Sequence, residues 1–102
     1  MPKTNRYRSP THPGRILKED LLDPLGMSIN QLAKALCVPA NRLNQIVHGK
    51  RAITPDTSLR LARYFGFTAE YWLNLQTHHD LELTRRQSMR KIEGEIKPRE
   101  AA

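Results

Sequence analysis

The chain has 102 residues, enough for one small domain with a single core, and sets 17 Lys and Arg against 10 Asp and Glu for a net charge of +7. Its one cysteine excludes an internal disulfide, and no Cys/His spacing resembles a zinc site. No run approaches the ~20 apolar residues of a membrane span, and MPKTNRYRSPTHP lacks the apolar stretch of a signal peptide, so a soluble cytoplasmic protein with a polyanionic partner is expected.

Residues 1–11 are polar and basic, with Pro2 and Pro10, and read as a flexible arm. In PGRILKEDLLD, Pro13 takes an early helical position and Ile16, Leu17, Leu21 and Leu22 recur at helical spacing until Pro24 and Gly26 end helix one. Ser28 caps helix two, whose buried side is Leu32, Ala33 and Leu36. Cys37 and Val38 form a tight connection. Pro39 then starts helix three, with Ala40, Leu43, Ile46 and Val47 as its inward stripe and Gly49 as its stop signal after His48.

Thr54-Pro55-Asp56 repeats the entry pattern for helix four, which carries Leu59, Leu61, Ala62 and Phe65 before Gly66. Thr68 caps helix five, with Phe67 just before the cap and Trp72 at the fourth helical position, the spacing of a hydrophobic staple. Trp72 is expected to face inward. Beyond Asp80 the chain is charged; the helix is expected to reach about Arg90, with a short strand over Ile92–Ile96 around Gly94 or a disordered tail as the alternatives. The expected fold is therefore all-α, a bundle of about five helices.

Charge is distributed unevenly along it. Every position from Pro24 to Pro55 is free of Asp and Glu, while Lys34, Arg42, Lys50 and Arg51 fall there. Two short helices joined by a tight turn inside such a bundle have the geometry of a helix-turn-helix reader. If Ala40, Leu43, Ile46 and Val47 turn inward, the 3.6-residue period turns Asn41, Arg42, Asn44, Gln45 and His48 outward.

Arg bonds guanine O6 and N7 as a fork, and Asn or Gln does the same with adenine N6 and N7, which makes Asn41, Arg42 and Gln45 the expected base readers. Phosphates need only a donor or a cation at the groove's edge. Ser28, Asn30 and Gln31 at the start of helix two suit that role, with Asn44, His48, Lys50 and Arg51 in and beyond helix three. A carboxylate on this face would repel the DNA backbone.

Other functions have weaker material. His78-His79-Asp80 with Cys37 is the best catalytic or metal-binding set, yet adjacent histidines on a helix point about 100° apart, so neither an enzyme, a metal nor a cofactor is expected. Cys37 has no neighbouring cation in sequence to activate it and reads as a semi-buried small apolar residue. The basic face lacks aromatics for stacking RNA bases. A scaffold that binds only protein is the rival from another class, and it requires neither Arg42 nor Gln45. Leu75, His78 and His79 are the expected seam of a homodimer, since such domains read two half-sites through a two-fold axis.

Four phrases carry a family resemblance: HPGRIL from His12, SINQLAKALCVPANRLNQIVHGKR from Ser28, AITPDTSLRLARYFG from Ala52, and above all EYWLNLQTHHDL, Glu70 to Leu81. Over Thr11 to Leu81 the chain resembles the HigA-type antitoxins, VapI-like addiction-module antidotes of the Cro/repressor-like helix-turn-helix class. The resemblance implies a domain at 12–81 with a charged extension over 82–102. It also implies a homodimer that represses its own palindromic operator and binds and neutralises a co-encoded, mRNA-cleaving ribonuclease toxin. A solitary helix-turn-helix regulator with no toxin is the alternative. The chain departs from such motifs at Cys37, where glycine is usual because the turn needs a left-handed residue.

Overall fold

The computed structural model describes residues 10–100 and is all-helical over them, with no strand among the described residues. Most of the basic arm expected over 1–11 lies outside that range. Five helices follow, the first a continuous run over 13–25 that we call α1. It begins at Pro13–Ile16, where the His12 side chain supplies the cap by accepting the Gly14 N–H at 2.9 Å. It then widens into a π-helical stretch, Leu17–Leu22, and closes with Asp23–Leu25.

Pro24 was expected to end this helix, but it sits within the last turn and Gly26 ends it alone. In a regular α-helix the proline ring would crowd the Asp20 carbonyl four residues back. The wider turn, in which the Asp23 N–H reaches back to the Lys18 carbonyl, makes room for it.

α2 (Ile29–Leu36) opens on a capping box: the Gln31 N–H donates to Ser28 Oγ at 3.0 Å and the Ser28 N–H to Gln31 Oε1 at 2.8 Å. α2 ends at Cys37, which takes the left-handed conformation itself (φ 58°, ψ 46°). The Val38 N–H then reaches back to the Ala33 carbonyl at 3.1 Å, the closing bond of a Schellman turn. Cys37 is exposed, not semi-buried as its size suggested, because a left-handed residue at a helix exit points away from the helix that it terminates.

α3 (Ala40–Val47) buries Leu43, Ile46 and Val47. Ala40, expected in the same stripe, is exposed: it is the first helical residue after Pro39 and precedes the turn that reaches the core. α3 also lies close against α1. A β-carbon on Gly14 would stand 1.8 Å from the Ile46 carbonyl oxygen, so only glycine allows this approach.

α4 (Pro55–Phe65) buries Thr57, Ser58 and Leu61. Leu59 is 64% exposed. The inner register belongs to two small hydroxyl residues satisfied by the helix's own first turn, with Ser58 Oγ donating to the Thr54 carbonyl at 2.9 Å. Position 59 therefore falls on the other side.

α5 (Ala69–Glu95) is capped by Thr68, and Phe67 meets the fully buried Trp72 edge-on at 6.2 Å between ring centroids, completing the staple. Trp72 Nε1 is buried with no hydrogen-bond partner among the described residues. Burying roughly 200 Å² of indole contributes about 5 kcal/mol, which outweighs the ~1–3 kcal/mol cost of an orphaned donor.

The helix runs through Gly94 to Glu95, so neither a strand at Ile92–Ile96 nor a disordered tail from Asp80 onward is present, and the end lies beyond Arg90. Residues 82–93 are mostly good helix formers, and Glu82 pairs with Arg85 one turn on. No helix among the described residues is long and apolar enough to cross a membrane.

The core joins Leu17 and Leu22 of α1, Leu32, Ala33 and Leu36 of α2, Leu43, Ile46 and Val47 of α3, Ile53, Leu61 of α4 and Trp72 of α5. Its weakest local feature is the non-glycine turn. A β-carbon in the left-handed region costs ~1–2 kcal/mol, and glycine's extra chain entropy returns only part of that. Cys37→Gly is therefore expected to stabilise the fold by about 0.5 to 1 kcal/mol, read as a higher denaturation midpoint with an unchanged slope.

Candidate nucleic-acid interface

With Leu43, Ile46 and Val47 inward, Asn41, Asn44, Gln45 and His48 occupy the opposite side of α3, Gln45 half-buried and the others exposed. Lys50 and Arg51 follow in the loop, both exposed. Arg51 Nη1 donates to Gln45 Oε1 at 3.3 Å, which leaves the Gln45 amide nitrogen to donate elsewhere. The His48 ring bonds the Asn44 carbonyl at 2.7 Å, closing the last turn of α3 and leaving the Asn44 amide outward.

Arg42 behaves differently from the rest of the set. It lies on the flank of α3, half-buried, and Nη1 pairs with Asp56 Oδ2 at 2.7 Å. The same oxygen receives Arg60 Nε at 2.9 Å, and Arg60 Nη1 donates to the Leu36 carbonyl at 2.9 Å and the Cys37 carbonyl at 3.4 Å. Arg42, and then Arg60, hold the Asp56 carboxyl below the usual carboxylate range by hydrogen bonding.

At the start of α2, Ser28, Asn30 and Gln31 are all exposed. The capping box uses Gln31 Oε1 as an acceptor, so the Gln31 amide nitrogen and the Ser28 hydroxyl hydrogen remain as outward donors.

Of the residues expected at a dimer seam, Leu75 packs against the core, and His79 lies edge-on to His12 with ring centroids 5.0 Å apart. His78 is the exposed one. His79 Nδ1 also sits 3.1 Å from Asp80 Oδ1, which accepts from Gln76 Nε2 at 2.9 Å. Gln76 in turn accepts the buried Ile53 N–H at 2.9 Å. This polar chain ties α5 and the cap of α1 to the loop that carries Lys50 and Arg51.

Sequence reasoning overlooked Asp56, Arg60, Gln76 and His12. The Asp56–Arg60 spacing of four on one helix was a visible signal; the 14-residue separation of Asp56 from Arg42 was not.

Two short helices joined by a Schellman turn, the second showing amides and cations outward, define a helix-turn-helix domain of the Cro/repressor-like class. The helix-turn-helix family profile matches residues 17–72. Virulence-associated protein I of Dichelobacter nodosus is 56% identical over 72 residues, 71% of this chain and 67% of that protein. Among solved structures, an addiction module antidote protein of the HigA family from Coxiella burnetii is 50% identical with a TM-score of 0.85, over 89% of this chain and 99% of that one. The Pseudomonas aeruginosa antitoxin HigA, solved with the higBA promoter, is 40% identical at a TM-score of 0.85, over 87% of this chain and 97% of that one. The chain belongs to the HigA-type family of helix-turn-helix antitoxins.

The His12 cap makes the domain sensitive to acid. Burial, and then His79, lower its pKa, against Asp80 and a hydrogen bond to the Arg51 backbone, which raise it. The unfolded chain therefore takes up this proton first. The contribution to stability is complete above the unfolded value of about 6.5 and is lost progressively below it, levelling off once the pH passes under the folded value. The midpoint of thermal unfolding is expected to fall more steeply between about pH 7.5 and 5 in the parent than in His12→Asn, whose amide oxygen keeps a cap without titrating.

Proposed function

We propose that the chain is the DNA-binding antitoxin of a toxin–antitoxin pair, which as a homodimer represses its own operator and neutralises a co-encoded, mRNA-cleaving ribonuclease by direct binding. The observation that carries the DNA reading is the outward face of α3. Amides at Asn41, Asn44 and Gln45 run into Lys50 and Arg51, in a segment without a carboxylate from Pro24 to Pro55. A Pseudomonas aeruginosa relative solved with its promoter supports the same reading.

In this mechanism two copies set their α3 helices ~34 Å apart in successive major grooves of a palindrome. Asn41 and Gln45 read adenine edges and Arg42 a guanine edge. Ser28, Asn30, Gln31, Asn44, His48, Lys50 and Arg51 hold the phosphates, fixing register rather than sequence. Homodimerisation brings the exposed end of α5 and His78 to the two-fold axis, beside Leu75 and His79.

Gel shifts on the upstream DNA separate these roles. Gln45→Ala and Arg42→Ala are each expected to lower discrimination at one base pair per half-site by ~1–3 kcal/mol. Lys50→Ala is expected to weaken all DNA alike and to flatten the salt dependence of binding by roughly 2 in log–log slope for the dimer, one contact per half-site. Equal affinity and selectivity across the three variants and the parent would remove the DNA assignment.

The toxin half has a separate test. Co-expressed with the adjacent reading frame, the tagged chain is expected to co-purify with that product and to restore growth. Retention of DNA binding without co-purification would leave a solitary regulator.

A further inference from the structure

We infer that Asp56 is a positioning residue for sequence reading, holding the Arg42 guanidinium at the edge of α3 while Arg60 anchors the pair to the turn before α3. The inference rests on the reading of α3 as the DNA-facing helix and adds a residue to it.

Asp56 stands at the start of α4, just past the 32 positions from Pro24 to Pro55 that hold no carboxylate. Coulomb repulsion from phosphate acts against a carboxylate placed so close to a DNA-facing surface. Asp56 therefore needs a compensating use, and its geometry supplies one. A single oxygen, Oδ2, takes Arg42 Nη1 at 2.7 Å and Arg60 Nε at 2.9 Å. Arg60 also reaches the Leu36 and Cys37 carbonyls at the end of α2.

One continuous set of hydrogen bonds thus runs from the turn through α4 to the side chain on the flank of α3. An unheld arginine loses rotamer freedom when it docks on a base. A guanidinium already fixed through one nitrogen loses less, and its remaining donors still form a fork. The carboxylate also cancels much of the charge of Arg42 toward phosphate, so that Arg42 contributes to selectivity more than to general affinity.

These two effects give Asp56→Asn an outcome that damage to the fold does not produce. Full-length parent, Asp56→Asn, Asp56→Glu, Arg42→Ala and the Arg42→Ala/Asp56→Asn pair are titrated on the operator fragment. The same series is run on a panel of its single base-pair variants and on unrelated DNA of equal length. Arg42→Ala is expected to lower the preference at one base pair per half-site about tenfold.

Asp56→Asn is expected to lose roughly three- to tenfold at that same base pair and no other, while binding unrelated DNA ~2-fold more tightly at low salt. Asp56→Glu, which keeps the carboxylate, is expected to restore most of the preference. In the paired variant Asp56→Asn adds no further loss of preference, since it acts through Arg42.

If Asp56→Asn keeps the parent's preference where Arg42→Ala loses it, positioning is wrong and base reading by Arg42 stands. Were Arg42→Ala itself to leave every preference intact, both would fall together. Parallel losses on operator and unrelated DNA, with a lowered melting midpoint, would reduce Asp56 to a stability role and overturn the inference.

Discussion

The turn at Cys37 sets the angle at which α3 leaves α2, and the outward face of α3 has its direction only because that angle is held. The left-handed residue closes α2, and the Val38 N–H bond to Ala33 locks the reversal. Without a glycine there, the turn carries backbone strain, and the surroundings keep it in place. Arg60 caps the orphan carbonyls of Leu36 and Cys37 from outside, and Leu36, Leu43 and Ile46 bury against one another from inside. Polar capping and apolar packing thus act on the same three or four residues.

A second set of constraints fixes α3 from its other end. Gly14 lets the α1 backbone touch the α3 backbone at Ile46. His12, two residues before Gly14, caps α1 and meets His79 of α5. Gln76 holds the Ile53 N–H at the far side of the loop. The segment that carries Lys50 and Arg51 is held at Ile53 by the buried Gln76 bond and at Arg51 by a backbone hydrogen bond to His12, so its cations are presented from a held backbone. These contacts are few, and each satisfies a group that would otherwise be buried unpaired, which makes them specific as well as stabilising.

Much of the architecture could be read from the residues alone. Ser28, Thr54 and Thr68 cap where hydroxyls precede apolar periodicity, and Leu32, Ala33, Leu36, Leu43, Ile46, Val47, Leu61 and Trp72 are buried as their spacing indicates. Ala40 is apolar and fits the inward spacing of α3, yet as the first helical residue it precedes the turn that reaches the core; in α4 Ser58 and Thr57 fill the inner positions at no cost in unpaired hydroxyls. Pro24 does not end the helix because the clash behind its usual helix-breaking effect belongs to a regular α-helix, and the π-helical stretch before it removes that clash. α5 runs past Arg90 because its charged residues favour helix rather than disorder.

The sequence by itself determined the helices, the turn between α2 and α3, and the chemical character of the exposed face, because capping, periodicity and the distribution of charge act over a few neighbouring residues. Tertiary structure decided what those side chains do. It turned Arg42 from a free cation into one arm of a clamp on Asp56, used Gln76 to tie α5 to the loop at Ile53, and set His12 against His79 of α5. Such pairings join residues 14 to 67 positions apart. No local rule specifies them, because they exist only once the core has brought the helix surfaces within hydrogen-bonding distance.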